Sequence, residues 1–98
     1  MEALLKCLIS RGMFSGEVAV RGESAYGAEF SMFAPSDFVE ADLAQAATGP
    51  VEGWLCVEVL QREGPLMLIH LPCQTFENGQ TITVRDSQVE LRPRRETV

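Results

Sequence analysis

The chain has 98 residues, 46% hydrophobic and 22% charged, with fourteen acidic against eight basic side chains and a formal net charge of −6. That is the size of one domain, long enough to bury a core without disulfide staples. The acidic balance (pI about 4.6) excludes the basic face that binding to nucleic acid phosphates requires.

Cys7, Cys56 and Cys73 are odd in number, which predicts reduced thiols and small buried apolar groups rather than a disulfide framework. The start, MEALLKCLIS, carries Glu2 and Lys6 and has no small-residue cleavage pattern. No apolar run approaches the ~20 residues that span a bilayer. These features predict a soluble, cytoplasmic protein, with neither membrane nor nucleic acid as a partner. One globular domain is expected over residues 1–92, followed by a flexible basic tail, 93–98.

Residues 3–9 alternate as a strand, with Ala3, Leu5, Cys7 and Ile9 on one face and Lys6 and Ser10 on the other. A second strand is expected from Phe14 to Val20, with Val18 and Val20 inward and Gly16 at a bend. The third has the cleanest alternation: Tyr26, Ala28, Phe30, Met32 and Ala34 form a core face against Gly27, Glu29, Ser31 and Phe33. Pro35 ends it. Asp37 and Glu40 then have capping-box spacing, Val39, Leu43 and Ala46 recur at helical spacing, and Gly49-Pro50 is a helix stop. This predicts a helix over 38–47, against an alternation from Val39 to Leu43 that fits a strand.

The stretch from Trp54 to Leu71 reads as a central hairpin, its turn at Gln61 to Gly64 and its second strand opened by Pro65. Leu55, Val57 and Val59 share one face. Met67, Ile69 and Leu71 alternate with Leu66, Leu68 and His70, so the second strand is apolar on both sides. Asn78-Gly79 is a strong hairpin signal, which sets Thr75 opposite Ile82 and Cys73 opposite Val84. Asp86 to Gln88 form a tight turn, and Val89 and Leu91 a last short strand.

About seven strands and one short helix, with no evident internal repeat, predict a mainly β fold: a small antiparallel barrel or sandwich. The ending ITVRDSQVEL (strand, tight turn, short strand) resembles the last two strands of an SH3-like barrel. That resemblance covers only these positions and implies a barrel, not a function.

His70 and Cys73 form a His-x-x-Cys pair, half of a zinc site, but Pro72 lies between them and no Cys-x-x-Cys knuckle completes it. The expectation is therefore no metal and no cofactor, and no catalytic residue is assigned. The acidic residues lie on several elements at no ligand spacing, as a solvated face does. The informative feature is an apolar surplus: Met13-Phe14, Met32-Phe33, Trp54-Leu55 and Leu66 to Ile69 put large side chains on both strand faces. A small barrel has room inside for one face only. This predicts a non-enzymatic interaction module, a homodimer through an apolar sheet face, with Trp54, Phe33, Met32 and Leu68 on that surface. The alternative is a small-molecule-binding protein or very small enzyme. Its pocket would be lined by Trp54, Tyr26 and Phe76, with His70, Cys73 or a carboxylate as the polar group.

Overall fold

A computed structural model of the protein describes residues 2–77 and 79–91. The chain is mainly β, as expected. The described residues form eight strands: β1 (Glu2–Arg11), β2 (Glu17–Glu23), β3 (Glu29–Pro35), β4 (Val39–Glu40), β5 (Val51–Glu63), β6 (Leu66–His70), β7 (Thr81–Arg85) and β8 (Val89–Leu91). A 3-10 turn, Ser36–Phe38, joins β3 to β4, and another, Asp86–Gln88, joins β7 to β8; a one-turn helix α1 (Leu43–Ala46) precedes β5. All pairings are antiparallel, in the order β3-β2-β1-β5-β6-β7, with β4 returning to β5 and β8 to β1. The result is a curled half-barrel around one core.

At its centre β1 pairs with β5 over eight positions, from Glu2↔Glu58 to Ile9↔Val51, with Leu5 opposite Leu55. The alternation read from the sequence puts Ala3, Leu5, Cys7 and Ile9 inside with Leu55 and Val57, and all six are buried. Each of the two strands has a shared outer edge. On β1, β8 takes residues 3–5 and β2 takes residues 8–11. On β5, β4 takes 54–55 and β6 takes 58–63.

These pairings reveal an internal repeat that the sequence does not announce. Adding 50 to the β1–β8 pair Leu5↔Val89, with wrap-around, gives the β5–β4 pair Leu55↔Val39. The β2–β3 pair Val20↔Met32 corresponds to the β6–β7 pair Ile69↔Ile82. The 3-10 turns are also 50 apart. The backbone bond from Ser36 N to Gly16 O (2.8 Å) has its counterpart from Asp86 N to Pro65 O (2.8 Å). A bulge at Leu60 makes the offset 49 in β2 and β6. Two half-chains of one architecture are thus related by a two-fold pseudo-axis through Leu5 and Leu55.

Several boundaries differ from expectation. The second strand begins at Glu17, because residues 12–16 form an exposed loop. The third begins at Glu29, which leaves Tyr26 and Ala28 exposed rather than in the core. The helix is one turn, capped by Asp42, whose carboxylate accepts from Gln45 N at 3.1 Å, and not by an Asp37–Glu40 box. Val39 and Glu40 are instead a strand, since β5 offers them a ladder that a short isolated helix cannot match. A Cβ at Gly53 would meet the Glu40 carbonyl oxygen at 2.9 Å, so only glycine lets β4 approach β5 there.

The central hairpin exists, but its turn is Gly64-Pro65 between the paired Glu63 and Leu66. Gly64 at φ +58°, followed by proline's fixed negative φ, is the type II′ combination suited to strand twist. The second expected hairpin does not form. β7 pairs with β6, placing Ile82 opposite Ile69 and Val84 opposite Met67, while residues 71–77 are outside any strand. β6 offers β7 an apolar ladder of buried partners, which outweighs the local turn signal. Asn78 of that signal, and the tail 92–98, lie outside the described residues.

Leu5 and Leu55 are fully buried and face each other at the pseudo-axis. Leu5→Ala and Leu55→Ala should each cost about 2–5 kcal/mol, with a non-additive double variant. Urea midpoints measure this. A loss below about 1 kcal/mol for either would show that the axis pair is not what the core rests on.

Candidate functional site

The inward residues of each strand fill the core, so their neighbours build an outer face. On β1 these are Leu4, Lys6, Leu8 and Ser10; on β5, Glu52, Trp54, Cys56 and Glu58. Beyond β1, Leu8 stands opposite Arg21 of β2, and Ala19 opposite Phe33 of β3. Residues 71–77, after β6, fold over the free edge of β3. Phe76 N donates to Ser31 O at 2.9 Å. Ser31 donates through both N and Oγ to the Glu77 carboxylate, each at 2.7 Å. These bonds bring Phe76 edge-on to Phe33, with ring centroids 5.4 Å apart and planes at 85°, a favourable aromatic geometry. The two rings, with Leu8, Ala19 and Pro50, line a hollow of about 250 Å³.

The six residues singled out from the sequence do not form one surface. Phe33 and Phe76 come together. Trp54 is half-buried on β5, opposite Lys6 and one diagonal from Leu8. Met32, at 1% exposure, has its side chain in the core, where the alternation of its own strand had already put it, and it touches the Phe33–Phe76 hollow only from beneath. Tyr26, 76% exposed, sits on the β2–β3 loop beside Arg85, away from Trp54. Leu68 is half-buried on β6 opposite Thr83, in the other half of the sheet. Tyr26 and Phe76 line different hollows, and Trp54 lines neither of them.

Two features escaped the sequence reading. Leu8 is an outward leucine 41% exposed, although the alternation of β1 was sufficient to find it. Met13 and Phe14, on the exposed loop 12–16, line a cavity with Leu43 of α1 that no local pattern would indicate.

The repeat also produces two equivalent grooves. One, of about 270 Å³, is lined by Lys6, Arg21, Glu23, Glu29, Glu52 and Gln88 among others. Its counterpart, about 320 Å³, has Cys56 where the first has Lys6, His70 for Arg21, Phe38 for Gln88 and Glu2 for Glu52. His70 stands opposite Glu58. Trp54 lines neither groove.

Burial pushes the Cys7 thiol up to about 12 and raises that of Cys73 as well, so both are protonated, weak nucleophiles at neutral pH. Among the described residues no three His, Cys, Asp or Glu side chains are grouped to hold a metal ion. No charged or polar side chain among them is buried. What the arrangement offers is shape, apolar surface and charges of both signs. No protein-family model, curated protein or solved structure matches the chain.

The Glu77 carboxyl is held below the usual glutamate range by the hydroxyl and then the backbone N–H of Ser31. A carboxylate with a depressed folded pKa contributes above its unfolded value, about 4.3, and ceases to contribute as pH falls through the folded one. Hydrogen exchange at Ser31 N should therefore be several-fold faster in Glu77→Ala at pH 6, with the difference vanishing in acid. Equal protection at pH 6 would mean that the carboxylate does not secure the loop.

Proposed function

We propose that the protein is a non-enzymatic interaction module whose partner is a second copy of itself, bound through the outer face around Leu8, Phe33, Phe76 and Trp54. The observation that carries this reading is the aromatic pair Phe33–Phe76 on that face, with Phe76 66% exposed beside an outward leucine. Burying a phenylalanine is worth about 1.5–3 kcal/mol, and interface centres favour aromatic anchors.

Charge favours the same face. Two chains of net charge −6 repel over roughly a Debye length, about 8 Å. Lys6 and Arg21 project beside Leu8, and Glu29 and Glu52 lie next to them. A face bearing both signs around an apolar centre complements itself under a two-fold rotation. Lys6 and Glu52, 3.6 Å apart and exposed, are free to exchange partners across such an interface at little cost.

Light scattering over a concentration series is the test. The wild-type chain should associate, and Leu8→Glu or Phe76→Asp should weaken association by about 30-fold or more, some 2 kcal/mol. Both positions are exposed, so the protomer should stay folded. A wild-type chain still monomeric at about 1 mM, where association is worth only about 4 kcal/mol, overturns the reading.

A further inference from the structure

The two equivalent grooves differ in one respect that bears on binding. In the first, the Glu52 carboxylate has Lys6 Nζ at 3.6 Å, and Arg21 lies alongside. In the second, the equivalent of Glu52 is Glu2, and the position of Lys6 is taken by Cys56. A further carboxylate, Glu58, replaces Leu8 and stands directly opposite Glu2 in the β1–β5 register. Like charges directly opposite on adjacent strands are destabilising. The described ion pairs are Lys6–Glu52 and Arg62–Asp86, and neither involves this pair. Apolar groups line much of the groove, with the half-exposed ring of Phe38 and Pro72 above the buried Leu4 and Leu71, and a third carboxylate, Glu40, lines it as well.

We propose that this groove docks an arginine-bearing peptide segment of a partner protein. The guanidinium would lie between Glu2 and Glu58, giving its fork of donors to two carboxylates at once. Its aliphatic stem and an adjacent apolar residue would cover Phe38 and Pro72. The occupant must be cationic, because it removes the repulsion between opposed carboxylates. It must carry apolar surface, because Phe38 and Pro72 present apolar groups to the groove. The groove, about 320 Å³, is of a size for one long side chain and part of a neighbour. The site is built from Glu2, Phe38, Glu58 and His70 and does not depend on association through Phe33 and Phe76.

The probe is a capped tripeptide with arginine between two leucines, titrated into the full isotope-labelled chain and followed by amide chemical shifts. Saturable shifts are expected at Glu2, Phe38 and His70. Glu58→Gln should weaken binding about tenfold, and added salt should weaken it too. Glu52→Gln, in the equivalent groove, should leave it unchanged. The citrulline analogue, of the same shape without charge, should not bind. Glu58→Gln removes one member of a repelling pair, so the fold should hold; Glu2→Gln is the second variant if it does not. Absence of saturable shifts at millimolar peptide overturns the proposal. So does equal binding of the citrulline analogue, or an equal loss in Glu52→Gln.

Discussion

The pairing of β1 with β5 is the constraint on which the rest of the molecule depends. It joins segments 50 residues apart, and closing such a loop costs about 3.5 kcal/mol beyond a constant. The cost is offset by placing two fully buried leucines, Leu5 and Leu55, face to face at the middle of the core. Every other pairing then follows from the edges these two strands leave open. Each edge is split between a hairpin partner and a short strand arriving through a 3-10 turn, which turns an open sheet into a curled half-barrel. Non-local pairing of this kind forms slowly compared with helical folds, since little of it is rewarded before the distant strands meet.

The pseudo-two-fold separates what the scaffold requires from what a site requires. Equivalent core positions carry different apolar residues, as with Val20 and Ile69 or Met32 and Ile82, because the interior asks only for volume and shape. Equivalent outer positions differ in chemistry: Lys6 against Cys56, Arg21 against His70, Gln88 against Phe38. In the first groove the Gln88 amide donates to Glu23 O at 2.8 Å and ties the 3-10 turn to β2. In the second, Phe38 presents a ring to solvent instead. One architecture thus carries a groove with an ion pair, Lys6–Glu52, and an equivalent one lined by Phe38, Cys56 and carboxylates. Fold alone does not decide function here; the lining does.

The sheet's free edges are covered by its own loops. Phe76 N bonds to Ser31 O on β3, and Ala25 N bonds to Thr83 O on β7, at 2.9 Å each. Blunting edge strands in this way disfavours growth by strand addition. The self-association proposed above would then use a face rather than an edge, with side chains instead of backbone groups making the contact.

The sequence by itself determined the period-two segments, their inward faces and most of their ends. Strand alternation is a local property of the chain, and proline and glycine punctuate it whatever lies nearby. Leu5, Val57, Met32, Ile69 and Val84 were all legible as core in this way. The reading of Met32 as a surface residue set that alternation aside, and its side chain is in the core. Tertiary structure alone decided which strand meets which. β7 took the ladder of β6 rather than a hairpin with residues 73–77, Val39-Glu40 left a helical pattern for the ladder of β5, and Phe76 came to Phe33 across a loop. The repeat was hidden for a related reason. Pairing geometry is kept by any apolar residue at the right parity, so two halves can share a fold while sharing few residues such as Leu5 and Leu55. Parity is written in the chain, but partnership depends on which distant surface buries most.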